Sequence, residues 1–405
     1  MSDKTTGLIH HPYVPPEGFE APLPGVYKAS TVFFPNVAAM RSREWKDKTA
    51  YTYGLHGTPT SYLLEERIAT LEGGAQCLLV PSGLAAIATV ALSLLQSGDE
   101  VLIPDNAYSP NKALAEGELK AWGITHQIYD PMDPQDLARR IGPRTRLVWL
   151  EAAGSVTLEF PDLPELVRVC RAANGGAGVR CALDNTWGAG LAFNAFDLAH
   201  QGEGGQGVDL TIHALTKYPS GGGDVLMGAI VTRDPALHIR LKLTHMRLGL
   251  GVGMNDVEAV LRALPSVALR YAAHDRATRA LARWCTTRPE FAQVLHPALE
   301  TSPGHAHWKA LCGEAEGRAA GLFSVVFPER YSCAQVDAFC DALRLFRLGY
   351  SWGGPLSLVV PYNLAQARQA WPAHLARGTL VRFSVGLEAV EDLQVDLAQA
   401  LARLS

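Results

Sequence analysis

The sequence predicts an α/β protein, with a large domain on a mostly parallel seven-stranded sheet and a smaller α+β domain behind it. Three observations predict this. Short apolar, strand-like runs alternate with amphipathic helical segments from about residue 61 to 255. From Asp256 onward the order changes to a long helical stretch followed by strands. Residues 1–60 are rich in Pro, Gly and Tyr with no sustained period, so they read as an extended arm that packs on something else.

The elements follow in order. Ser61–Leu71 is periodic at helical spacing, and the strand candidates of the large domain (residues 61–255) are Cys77–Val80, Val101–Ile103, His126–Tyr129, Leu147–Leu150, Cys181–Leu183, Leu210–Ala214 and Gly228–Val231. Leu84–Leu95 is the longest apolar stretch; at 12 residues it is too short to span a bilayer and reads as a buried helix. Leu163–Ala173 is a further helix between strands. Strand–helix alternation of this kind places helices on both faces of a sheet. In the C-terminal domain (residues 256–405), helix Asp256–Cys285 leads into strands Leu322–Phe327, Leu356–Val360 and Leu380–Val385, with helices at Ala334–Leu343 and Glu391–Leu404.

A formal net charge of −4 gives no reason to expect nucleic acid or an anionic membrane as partner. The seven cysteines are odd in number and scattered, without zinc spacing, and Cys77 and Cys181 lie in apolar runs. They read as reduced thiols of a cytoplasmic protein. The N-terminus lacks the apolar core of a signal peptide.

The stretch Asp209–Met227 is the most informative. Its apolar run ends on Thr216-Lys217, and a Ser-Gly-Gly-Gly turn follows that lets a ligand approach the backbone. A desolvated lysine there becomes a nucleophile able to form a Schiff base with an aldehyde cofactor; the alternative is a surface lysine capping a strand. Asp184 ends the run Cys181–Leu183. It is either a strand-end turn or cap residue, or a carboxylate that keeps a pyridine nitrogen protonated. Together the two suggest pyridoxal phosphate (PLP). Ser82, Gly83 and Leu84 open a helix directly after a strand, the arrangement of a phosphate site and also of an ordinary N-cap. Tyr108, in the turn after Val101–Ile103, is a loop tyrosine or a ring stacked on the cofactor. Arg382 is the only charge within an apolar strand. It calls for an anion, either a substrate carboxylate or a protein partner such as Glu388.

Taken together, Tyr53-Gly-Leu-His-Gly-Thr-Pro-Thr, Leu71-Glu-Gly-Gly-Ala, Asp184-Asn-Thr-Trp, Thr216-Lys217-Tyr, Tyr350-Ser-Trp-Gly-Gly and Gly378-Thr-Leu-Val-Arg resemble the Cys/Met-metabolism family of PLP enzymes, most closely its bacterial cystathionine β-lyase branch. The resemblance implies a fold-type I, aspartate aminotransferase-like architecture. It also implies an N-terminal arm that reaches a neighbouring subunit, and a homotetramer built from two dimers. It implies Lys217 as the Schiff-base lysine, Asp184 on the ring nitrogen, and Tyr108 stacked on the ring. Ser82, Gly83, Leu84 and Thr216 would lie on the phosphate, and Tyr53 would arrive from the adjacent subunit. Ser351, Trp352 and Arg382 would surround the carboxylate of a small amino-acid substrate. The implied reaction is α,β-elimination at a carbon–sulfur bond, with γ-elimination or γ-replacement as the alternative inside the family and a PLP-binding relative of reduced activity as another. A dinucleotide-binding reading lacks its G-x-G-x-x-G after a strand. Departures cluster: Leu55 and His56 stand where the family carries basic residues, and Ala214 where it often carries a phosphate-binding serine.

Overall fold

The computed structural model describes residues 4–11, 17–18, 21–42, 48, 50–176, 178–200, 206–364, 368 and 370–404. Every apolar run expected in the large domain forms a strand: β1 Gln76–Val80, β2 Glu100–Pro104, β3 Thr125–Tyr129, β4 Thr145–Glu151, β5 Arg180–Asp184, β6 Leu210–His213 and β7 Gly228–Thr232. They make one seven-stranded sheet in the order β1-β7-β6-β5-β4-β2-β3. Only β7 runs against its neighbours; the other pairings are parallel.

Alternate residues of each strand serve opposite cores, as a period of two requires. Leu147, Trp149, Ala182 and Ile212 join the face covered by helix Gly83–Leu94, which contributes Ala86, Ile87 and Val90. Val148, Leu150, Cys181 and Leu183 join the opposite face, with Leu64 and Ile68 of helix Pro59–Glu72. That helix starts ahead of the expected Ser61 because Thr58 and Ser61 form a reciprocal capping box and Pro59 occupies its first turn. β6 stops at His213, short of the expected Ala214. The Ala214 N–H is taken by the Thr186 hydroxyl at 3.0 Å, which draws the chain out of the sheet.

The second sheet contains β8 Gln293–Leu295, β9 Leu322–Pro328, β10 Arg347–Leu348, β11 Leu358–Tyr362 and β12 Gly378–Ser384, in the order β10-β11-β12-β9-β8. The expected helix Asp256–Cys285 is in fact two, Met254–Ala263 and Val267–Thr286, separated by a 3-10 turn at Leu264–Ser266. Pro265 causes the break, since it has no N–H to give to a helical carbonyl. The expected division at residue 255 also moves. Val257, Val260, Leu261, Val267 and Tyr271 pack into the core of the large sheet, whereas Ala277, Leu281 and Cys285 pack under the second sheet. One helix therefore passes from one core into the other.

The start of the segment read as an arm packs on its own chain. Leu8 of helix Lys4–Ile9 is buried in the large core, and the Lys4 ammonium donates to the Leu71 carbonyl at 2.9 Å. Further along, Tyr27, Phe33, Val37 and Met40 are exposed, Phe33 at 92%. All seven cysteines are free, and only Cys333 is exposed. Among the described residues, no helix is long and apolar enough to cross a membrane.

Candidate active site

The C-terminal ends of β4, β5 and β6 open onto a cavity of about 640 Å³, closed on its far side by residues of the second sheet. It lies at strand carboxyl ends, where α/β sheets bind ligands, and its size suits a cofactor with a small substrate. Ser82, Gly83, Leu84, Tyr108, Asp184, Thr216, Lys217, Ser351, Trp352 and Arg382 all line it. Tyr53 does not. It borders a separate concavity with Lys28, Gly54, Leu55 and Gly251–Asn255.

Lys217 sits on a tight turn after β6. Its N–H donates to Ala214 O and its carbonyl accepts from the Gly221 N–H, both at 3.0 Å. The next residue anchors the turn: the Tyr218 hydroxyl accepts from the Gly321 N–H at 2.8 Å, and its ring meets Tyr271 edge-on at 4.8 Å. The Lys217 ammonium lies 4.7 Å from the centre of the Trp352 ring. Burial lowers its pKa to about 8; Asp184 opposes the shift and Arg382 adds to it. The neutral, nucleophilic fraction of the amine thus rises with pH and saturates above about 8 rather than above the ordinary value of 10.5. Trapping of PLP by borohydride on the cofactor-free protein is expected to follow that curve. A trapping rate still climbing well beyond pH 8 would contradict the desolvated position of this amine.

Asp184 ends β5, where its carboxylate accepts from the Thr186 N–H at 3.0 Å. Burial raises its pKa, while Thr186, His213 and Lys217 pull it back toward the charged form. Behind it, the fully buried His213 lies 2.8 Å from Glu72, which also accepts from Asn185 and Thr211. Sequence reasoning missed Glu151. It ends β4 directly beside Asp184 in register and lines the same cavity. It accepts the Tyr108 N–H at 2.8 Å and so fixes the turn that carries the tyrosine ring. Burial, reinforced by Asp184, holds its pKa well above the carboxylate range. A carboxylate closing an apolar strand is the signal that marked Asp184, and it was present here too. The Tyr108 hydroxyl, raised by burial and by Asp184 and Glu151, keeps its proton at neutral pH.

At the opposite wall Ser82 caps helix Gly83–Leu94, accepting the Ala85 N–H at 3.0 Å. A Cβ on Gly83 would lie 2.8 Å from the Ala214 Cβ, so the glycine is what allows the helix start to approach the end of β6. Thr216 lines the cavity, but its hydroxyl donates to Met227 O at 3.3 Å. A phosphate there would compete for that proton.

Arg382, 5% exposed on β12, has its guanidinium 5.5 Å from the Trp352 ring and 5.4 Å from the Tyr362 ring. Its hydrogen bond goes to the Ser351 carbonyl at 3.4 Å, not to the Ser351 hydroxyl. The Glu388 alternative falls, because that carboxylate accepts from the N–H and hydroxyl of Ser357 at 2.7 and 2.8 Å. Among the described residues no carboxylate pairs with Arg382. The Trp352 indole N–H is also buried without a partner among them. A buried cation beside an unused donor suits an anion supplied from outside the chain.

These residues fit PLP: a desolvated amine for the aldehyde, a carboxylate for the ring nitrogen, and a glycine-opened helix start for the phosphate. The family described as Cys/Met metabolism PLP-dependent enzyme matches residues 5–402. The cystathionine β-lyase of Bordetella avium is 37% identical over 94% of this chain and 92% of its own. That of Salmonella typhimurium is 34% identical over 94% of this chain and 93% of its own. The crystal structure of cystathionine γ-synthase from Xanthomonas oryzae pv. oryzae aligns with a TM-score of 0.86 at 28% identity, covering 100% of this chain and 99% of that one. Fold, cavity and sequence agree that this chain belongs to the Cys/Met-metabolism family of PLP-dependent enzymes and has the fold-type I architecture.

Proposed function

We propose that this enzyme breaks the Cβ–S bond of cysteine S-conjugates, cystathionine among them, by α,β-elimination, releasing a thiol and 2-aminoacrylate, which water hydrolyses to pyruvate and ammonia. The observation that carries the reading is the pair of cations on one indole: Lys217 and Arg382 both lie against Trp352. In this reading Arg382, with the Trp352 N–H, holds the substrate carboxylate in bidentate geometry. That places Cα beside Lys217, whose amine takes the Cα proton. PLP, when bound, supplies the electron sink for the charge left on Cα. Asp184 would hold the ring nitrogen with its carboxylate, Tyr108 would cover the ring, and Ser82, Gly83 and Leu84 at the helix start would hold the phosphate. The departing sulfur takes its proton from the Tyr108 hydroxyl or from protonated Lys217. The relatives named cystathionine β-lyase, at 34–37% identity over nearly the whole chain, support this direction of cleavage.

Tyr53 completes the site from a neighbouring subunit of a homotetramer. Its place outside its own cavity and the exposed apolar residues of the preceding segment support that. Its buried free thiols suit the cytosol.

The test is the identity of the keto acid. Elimination at Cβ needs one deprotonation, at Cα; elimination at Cγ needs a second, at Cβ. Cystathionine is expected to give pyruvate and homocysteine. Release of 2-oxobutyrate and cysteine as main products would move the enzyme to γ-elimination.

A further inference from the structure

We infer that Glu72 and His213 are positioning residues for Asp184: a buried carboxylate–imidazolium pair that pins the end of β5 and keeps Asp184 ionised from behind. The inference rests on the placing of Asp184 at the ring nitrogen in the reading above, and it does not depend on which carbon–sulfur bond breaks.

Glu72 is the last residue of helix Pro59–Glu72 and is fully buried. Its carboxylate collects donors from both strands whose ends carry the reacting groups. From the end of β5 comes the Asn185 side-chain amide at 2.6 Å, one residue past Asp184. From β6 come the Thr211 hydroxyl at 3.2 Å and His213 Nδ1 at 2.8 Å. The Asn185 N–H in turn donates to the Ile212 carbonyl at 2.9 Å. Ile212 is the register partner of Asp184 and lines the cavity. Thr211 and His213 alternate with it along β6, so the pair lies on the reverse face of the sheet from Asp184.

A carboxylate without access to water needs a compensating cation. Among its described contacts, His213 is the one group that can become cationic. Lys4 reaches the same helix end, but its ammonium donates to the Leu71 and Gly190 carbonyls. The Nδ1–Oε1 approach is close but off the line of a hydrogen bond, so what it supplies is charge attraction. Asp184 itself is faced by Lys217 within the cavity, by Glu151 in register on β4, by Tyr108 from the turn after β2, and by His213 from behind. Burial works against its charge; the Thr186 donors, His213 and Lys217 work for it, in that order. Lys217 leaves that set once its amine is committed to the aldehyde, and His213 remains.

The experiment measures PLP affinity of the cofactor-free protein against pH, by absorbance titration. It compares wild type, His213→Gln, Glu72→Gln, the double variant and Asp184→Asn. Wild-type affinity is expected to fall on the acid side as Asp184 takes up a proton, and Asp184→Asn should bind weakly throughout without that limb. His213→Gln removes the opposing charge, so the fall should begin about one pH unit higher, about tenfold in affinity at a pH on the slope. Glu72→Gln should move the limb less and in the same sense, because the imidazole loses the carboxylate that keeps it charged. The double variant leaves two neutral amides and no buried charge, which keeps the test open where a single variant folds poorly. Its limb should lie with that of His213→Gln. Equal losses at every pH, with the limb unmoved, would reduce the pair to packing and overturn this inference alone, as would a limb moved to lower pH. An Asp184→Asn protein with wild-type affinity and pH dependence would overturn the ring-nitrogen role of Asp184, and this inference with it.

Discussion

Lys217→Ala is expected to lower keto-acid release by roughly 10²- to 10⁴-fold, the range for loss of a positioned acid–base group, and to abolish covalent retention of PLP. Borohydride reduction followed by peptide mass spectrometry should mark Lys217 in the wild type and leave the variant unmarked. Thermal stability should hold or rise slightly, because the substitution deletes an amine whose charged form burial disfavours. A variant that released keto acid at the wild-type rate would sink the assignment. The same protein tests the shared site. Mixed with Tyr53→Phe and allowed to exchange subunits, it should regain activity, because one hybrid site then has both Lys217 and Tyr53. Absence of recovery, with exchange demonstrated, would return Tyr53 to a role within its own subunit.

Arg382→Leu should separate binding from folding. Loss of a buried partner for the substrate carboxylate is expected to cost about 2–5 kcal/mol in kcat/KM, a factor of about 30 or more. Folding stability should move the other way or not at all, since the guanidinium is nearly fully buried and no carboxylate pairs with it among the described residues. An apolar replacement of similar bulk removes that unpaired charge. Steady-state kinetics and a melting curve on the same preparation give both readings. A large fall in melting temperature would restore Arg382 to a structural role.

The features legible in the sequence were those with a local cause. Apolar runs alternating with helical segments marked each strand of the large sheet, and Asp184 and Lys217 stood out because turns follow them. Arg382 stood out as a cation where the strand pattern demanded hydrocarbon. Pro265 is an equally local signal, and it divides the helix. Other features depend on contacts distant in sequence. The insertion of β7 between β1 and β6, against their direction, is set by packing. The short edge strands β8 and β10 are too brief to show a period. Whether Arg382 met Glu388 or a ligand depended on Ser357, which holds Glu388 and has no mark of that role in the sequence.

The helix Val267–Thr286 runs through both cores, and Tyr218 is fastened to Tyr271 on that helix and to Gly321 at the start of β9. Lys217 precedes Tyr218, and β12, which carries Arg382, is hydrogen-bonded along β9. The spacing between the amine and the guanidinium is therefore tied to the packing shared by the two cores. On the function proposed above, the site would act as a preset gauge for a substrate whose carboxylate and Cα match that spacing.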